Sequence, residues 1–464
     1  MSRSPAGILP EQVHVHKDGP MTERLVLIFA YHYPPENAIG GARPFRFAKY
    51  LSRLSYTCRV FTAADQSGRD DPNVQYVPDP FVERPRNSLS WQLERAVRKF
   101  LLPGDVGVHW SYDAARAARA WIRTHPGAEV TVLSTFPPLG PHLAGWQLAR
   151  RNGLAWIADC RDPLADDFAD QHHTPSQRRF YRWMERAVAQ RADAVIANTD
   201  AAQVRWLEKF PSLRDKFNLI WNGFDPEERI QPLPVASPDC KTVSHLGELY
   251  HGRNAAPILE SIARLFVANR LPKGSVRVWL IGPAQAECLP SPEFIQSTQS
   301  EGWLDLATER IPQQDARQVA QTSDGFLLLQ PGSADQVPAK IFEYLQIGRP
   351  ILAFVQPNSP TERVLERSGV PYRCVYPGST PEAVDNIVGD FFDLPTSTVA
   401  PSRWFEELFN AENQTRMLDA IIRSLHNGTK VSGPDFSLAA HEAAPRLDEL
   451  QGSKSLGLSS RGRR

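Results

Sequence analysis

At 464 residues the chain exceeds the ~250 to 300 at which a single hydrophobic core usually stops growing, so its length implies two domains. Its 52 basic and 52 acidic side chains cancel, and 42% apolar against 22% charged residues is ordinary globular composition, which speaks against a nucleic-acid binder. The five cysteines (Cys58, Cys160, Cys240, Cys288, Cys374) are odd in number and scattered without ligand spacing, which argues against a disulfide framework and a zinc site and fits a reducing cytoplasm.

Residues 1–22 lack the apolar core of a signal peptide and are expected to be disordered, and no stretch approaches the ~20 apolar residues of a membrane span. Over 23–228, short apolar runs alternate with helical patterns. Strands are expected at RLVLIFA (24–30), TCRVFTA (57–63), EVTVLST (129–135), AWIADC (155–160), DAVIANT (193–199) and FNLIWNG (217–223). Helices such as FRFAKYLSRL and SQRRFYRWMERAVAQRA fall between them. A Pro-rich linker (229–240) follows, and the pattern restarts over 241–400 with KTVSHLG, VRVWLIG, DGFLLLQP, the helix PAKIFEYLQIG and the strand PILAFV. A helical stretch at 401–428 stops on Gly428, and the polar tail 429–464 is expected to be disordered. The fold class is therefore α/β: two Rossmann-like, doubly wound parallel-sheet domains facing across a cleft.

In such sheets ligands sit outside the carboxyl ends of the strands, so the loops there matter most. PPENAIGGARP (34–44) leaves the first strand and enters a helix. Gly40 and Gly41 either relieve a tight turn or let backbone N–H groups approach a phosphate; the segment has neither dinucleotide nor P-loop spacing. In DQVPAKIFEYLQIG (335–348), a helix opening at Val337 and Pro338 brings Lys340 toward an anion. Glu343, one turn on, suits ribose hydroxyls, although the same residues also make an amphipathic core helix. In GELYHGRN (247–254), Arg253 is either a loop surface charge or a cation for a diphosphate leaving group. At the ends of two first-half strands lie His142, in PPLGPH, and Asp159, Arg161 and Asp162, in DCRDP. These form a self-satisfied turn or a site for polar substrate groups.

Taken in order, PPENAIGG, the Pro-Pro strand end with His142, DCRDP, ADAVIANT, WNGFD, GELYHGRN and VPAKIFEYLQIGRPIL resemble the GT-B glycosyltransferases of family 4, most closely the group that builds bacterial capsule, exopolysaccharide and lipopolysaccharide. The resemblance runs from about Arg24 to about Leu425. It implies a retaining, metal-independent transferase without a cofactor, moving a sugar from a nucleotide diphosphate sugar to a saccharide or lipid-linked acceptor. The N-terminal domain would take the acceptor and the C-terminal domain most of the donor. By the same resemblance Gly40, Gly41, Val337, Pro338 and Glu343 bind the donor, Arg253 and Lys340 contact its phosphates, and Asp335 occupies the first position of the family's E-x7-E motif, where relatives have Glu. The histidine that many relatives place near the transferred sugar is replaced by DCRDP, leaving Asp159, Arg161, Asp162 or His142 as candidates for its task.

Lipid-linked acceptors suggest peripheral contact with the inner membrane. SLSWQLERAVRKFLLPGDVGVHW (88–110) has the mixture of Arg, Lys, Trp and Leu of an interfacial helix, as does a helix packed on the core. Two other functions fit the same architecture: a sugar-nucleotide epimerase, which needs no acceptor, and a non-catalytic scaffold.

Overall fold

The computed structural model describes residues 22–36, 39–65, 71–83, 88–100, 107–165, 174–234, 239–250 and 252–429. The tails expected to be disordered lie outside these residues, apart from their innermost positions, as does 101–106 of the proposed interfacial segment.

The first half runs β1 (Arg24–Phe29), α1 (Ile39–Arg53), β2 (Thr57–Thr62), β3 (Val74–Tyr76), α2 (Pro80–Glu83), α3 (Leu89–Phe100) and α4 (Val108–Ile122). It continues through β4 (Glu129–Phe136), α5 (Gly140–Asn152), β5 (Ala155–Cys160), α6 (Pro175–Arg191), β6 (Ala194–Ala197), α7 (Asp200–Lys209) and β7 (Phe217–Leu219). The second half comprises β8 (Lys241–Leu246), α8 (Ala256–Val267), β9 (Val276–Ile281), α9 (Pro292–Ser300), β10 (Leu304–Ala307), α10 (Gln313–Thr322) and β11 (Gly325–Gln330). It closes with α11 (Lys340–Ile347), β12 (Ile351–Val355), α12 (Pro360–Ser368), β13 (Tyr372–Val375), α13 (Pro381–Phe392), α14 (Arg403–Leu408) and α15 (Ala411–Asn427).

The strands form two all-parallel sheets, ordered β3-β2-β1-β4-β5-β6-β7 and β10-β9-β8-β11-β12-β13. Helices cover both faces, which is why the central strands read as unbroken apolar runs: every residue of β11 and β12 is buried. In each sheet the strand order reverses at one place, between β1 and β4 in the first and between β8 and β11 in the second. These are the topological switch points, where a crevice opens at the strand carboxyl ends. The four loops singled out above leave β1, β4, β8 and β11, so the topology delivers them to the two crevices. The DCRDP turn leaves β5, next to β4.

The final helix does not stay with the second half. Leu418, Ile421 and Ile422 of α15 join a core that contains Val26, Ile28 and Phe47. Tyr56 donates to Asp419 at 2.6 Å, and Thr131 and His426 meet at 2.8 Å. Near the crossing, Phe224 exchanges backbone hydrogen bonds with Phe409 and Ala411. The last helix thus ties the C-terminal sheet to the N-terminal one through apolar burial.

One boundary differs from the sequence expectation. Gly40 and Gly41 do not precede the helix; α1 begins at Ile39 and carries Pro44 within it. A Cβ on Gly41 would sit 2.9 Å from Tyr33 Cα and 3.1 Å from its nitrogen. The first turn of α1 therefore packs backbone to backbone on the loop leaving β1, which a side chain at 41 would prevent.

Candidate functional site

On the N-terminal side, the charged groups at the strand ends are bound to one another. Asp159, 1% exposed, accepts from Arg43 (Nη2 to Oδ1, 2.8 Å; Nε to Oδ2, 3.0 Å) and from Thr135 Oγ1 at 3.0 Å. Arg43, itself buried, also donates to the carbonyls of Ile220 and Trp221. His142 is wholly buried between Ser134 Oγ, 2.8 Å from Nδ1, and Cys160 Sγ, 3.5 Å from Nε2. Burial pushes its pKa down to about 3, so it is neutral at ordinary pH. Asp159 and His142 are thus built into the interior rather than presented to the cleft. Arg161 is different. Its guanidinium, held by the carbonyls of Phe136 and Pro137, reaches the first turn of α1, where a Cβ on Gly40 would lie 3.2 Å from both terminal nitrogens.

On the C-terminal side two cations, Lys340 and Arg253, are held by neutral groups. Tyr344 stacks on Phe326 with 4.0 Å between centroids and accepts from Leu246 N at 3.0 Å, which fixes α11 against the body of β11 and the carboxyl end of β8. This anchoring delivers Lys340, the first residue of α11, to the crevice. Its Nζ donates to Nε2 of His245 at 3.0 Å and passes over Gly247, whose φ of 125° suits glycine and where a Cβ would lie 2.9 Å from Nζ. Burial and, next, the Arg253 charge push the Lys340 pKa down to about 7, while Glu343 works in the opposite direction. Arg253 lies over the Tyr250 ring at 4.3 Å and donates from Nε to Gln330 Oε1 at 3.0 Å. Among the described residues neither cation forms an ion pair. Burial raises the Glu343 carboxyl, opposed by Arg317, Arg46 and Lys340. Arg46 comes from α1, so Glu343 feels a charge from the opposite domain. Val337 and Pro338 are buried under the start of α11.

Polar contacts cross the cleft. Gln336 Nε2 donates to Asp162 Oδ1 at 3.0 Å. Asp335 pairs with Arg205 at 3.1 Å, and its carbonyl accepts from Thr199 Oγ1 at 2.6 Å. Arg363 pairs with Asp200 at 2.7 Å. Asp335 and Asp162, both expected near the reacting groups, are therefore engaged between the domains.

The structure brings Arg253, Lys340 and Glu343 together at one switch point, sets Gly40, Gly41 and Arg161 at the other, and withdraws Asp159 and His142 into the core. Sequence reading missed His245, Gln330, Gln336, Arg205 and Arg43. The available signal was that two apolar strands, KTVSHL and GFLLLQ, put a polar residue at or beside their carboxyl ends, where a packing side chain would be expected.

Residues 43–228 match the family model for Glycosyltransferase Family 4. No curated protein matches the chain. Among solved structures, Anabaena HepE in complex with UDP and glucose aligns with a TM-score of 0.57 at 14% identity, covering 87% of this chain and 100% of HepE. The N-terminal domain of Candida albicans trehalose-6-phosphate phosphatase aligns at 0.59 and 13% identity, covering 88% and 98%. A UDP-forming trehalose-phosphate synthase from Burkholderia vietnamiensis aligns at 0.52 and 12% identity, covering 89% and 100%. At these identities the likeness establishes a common fold.

Proposed function

We propose that this chain, GT-B in fold and matching the Glycosyltransferase Family 4 model over residues 43–228, is a retaining glycosyltransferase that moves a sugar from a nucleoside diphosphate sugar to a saccharide or lipid-linked acceptor in cell-surface polysaccharide assembly. The observation that carries the donor reading is the pair Arg253 and Lys340, two cations at the second switch point that form no ion pair among the described residues. Burying like charges together is unfavourable unless an anion joins them, and a diphosphate supplies the opposite charge. UDP in HepE and UDP release by the Burkholderia synthase make a UDP-sugar the first donor to try.

In this reading Arg253 and Lys340 take up the charge that develops on the departing diphosphate as the sugar gains oxocarbenium character. The first-turn N–H groups of α1 at Gly40 and Gly41 face the same anion from the opposite domain, since a helix leaves these donors unpaired. Glu343 accepts from the ribose hydroxyls. The bond from the anomeric carbon to the phosphate oxygen breaks, the acceptor oxygen bonds to the same face of that carbon, and the acceptor proton passes to a phosphate oxygen. Protein cations supply the charge neutralisation, so the mechanism is written without a metal ion. The contacts across the cleft by Gln336 and Asp335 fit a closed arrangement that excludes water from the donor.

No helix among the described residues is long and apolar enough to cross a membrane. A lipid-linked acceptor would be met at the cytoplasmic face of the inner membrane, and the exposed Leu89 and Leu93 of α3 are the apolar side chains offered for that contact. The test is a transfer assay with a panel of UDP-, GDP-, ADP- and dTDP-sugars and membrane-extracted acceptors. Radiolabel moving to the acceptor with the donor's anomeric configuration is expected; inversion would overturn retention, and no transfer from any donor would overturn the donor reading.

A further inference from the structure

His245 is a buried histidine whose ring meets Lys340 and feels the Arg253 charge and the Gly247 backbone. It is fully buried at the carboxyl end of β8, one residue before the end of the strand. Its Nδ1–H donates to the Leu327 carbonyl of β11 at 3.0 Å, which fixes both ring orientation and tautomer and leaves Nε2 as an acceptor. That acceptor faces Lys340 Nζ at 3.0 Å. An ammonium carries three donors, so one N–H directed inward to His245 leaves two to point over Gly247 into the crevice. Gly247 has no side chain to block them.

We propose that His245 is a positioning residue for donor binding: its neutral ring holds the Lys340 ammonium by one hydrogen bond and aims the other two at the donor diphosphate. The inference rests on the donor reading above. The groups facing Lys340 are Arg253 from the β8–α8 loop, Glu343 from α11 and His245 from β8. Burial and Arg253 favour loss of the lysine proton, whereas Glu343 favours keeping it; a hydrogen bond to the imidazole acceptor likewise favours the charged form. Burial and the Lys340 charge likewise hold His245 neutral, well below its ordinary value, so the imidazole does not compete for the proton. Removing the acceptor therefore shifts Lys340 toward its neutral amine at a lower pH.

The experiment uses the full chain with His245→Leu, which removes the acceptor at similar bulk, and His245→Gln, whose amide oxygen returns an acceptor near the Nε2 position. UDP binding is followed by calorimetry from pH 6 to pH 9, together with melting temperature. Wild-type affinity is expected to fall as pH rises through about 7. In His245→Leu the fall moves about one unit lower, with about fivefold weaker binding at pH 7, and His245→Gln restores most of it. An unchanged pH profile in His245→Leu overturns the proposal, and so does a Gln variant as weak as the Leu variant. A second readout needs no donor: the pH dependence of Lys340 acetylation in the ligand-free protein, read by peptide mass spectrometry. Should wild type bind no nucleoside diphosphate while the acetylation midpoint still drops in His245→Leu, the donor reading fails and the His245–Lys340 coupling stands. An unmoved midpoint removes the coupling itself.

Discussion

The two switch points of this molecule use charge in opposite ways. Beside the first, in the interior, Asp159 and Arg43 neutralise one another, Thr135 and two carbonyls complete their hydrogen bonds, and that arrangement is closed, with Arg161 held by the carbonyls of Phe136 and Pro137. At the second, Lys340 and Arg253 repel each other, each held by a neutral group, His245 or Gln330. A closed network serves stability, whereas an open one leaves positive charge for an anion to neutralise. The difference shows that ionisable residues at strand ends are sorted by what already satisfies them rather than by being there.

Five substitutions test that contrast. Asp159→Ala leaves the Arg43 guanidinium buried without its counter-ion, which should cost about 3–5 kcal/mol in denaturant unfolding. A loss below ~1 kcal/mol would mean that the first switch point is not a closed network. Lys340→Ala or Arg253→Ala should lower turnover by about 10²–10³-fold while leaving the melting temperature level or slightly higher, because a buried like-charge repulsion disappears. Unfolding in step with the loss of activity would erase the distinction between the two sites. Gly41→Val drives a side chain into the Tyr33 backbone, so a destabilisation of about 1–3 kcal/mol is expected, with weaker nucleotide binding as the start of α1 shifts. Asp335→Asn, at a half-exposed pair with Arg205, should change stability by about 0–1 kcal/mol; its effect is expected in the closed population of the two domains, read by small-angle scattering.

Much of the fold was legible because the buried strands are long apolar runs bounded by turn residues. RLVLIF, EVTVLSTF and GFLLLQ could not be mistaken. The strands that escaped, β3 (VQY), β10 (LDLA) and β13 (YRCV), are short, and their mixed exposure leaves no apolar run to read. The start of α1 was misplaced because Pro44 reads as a first-turn proline, whereas backbone packing against Tyr33 extends the helix five residues upstream. As for the candidate site, GELYHGRN and VPAKIFE pointed to the crevice at the second switch point, since a loop there is fixed by topology. The state of each residue was not legible. DCRDP shows Asp159, but nothing local reveals that Arg43, 116 residues earlier in sequence, neutralises it. His245 sits inside an ordinary strand pattern, and its meeting with Lys340 depends on a separation of 95 residues.

The central claim is that the donor diphosphate is held by the open charges of the second switch point. Calorimetric titration of UDP into the wild type and the Arg253→Ala/Lys340→Ala double variant at pH 6.5, with melting temperatures measured alongside, tests it most directly. The account predicts binding to the wild type and at least about 10²-fold weaker binding to an equally stable double variant, in keeping with two lost charge-assisted contacts. Equal affinity in the two proteins would contradict it.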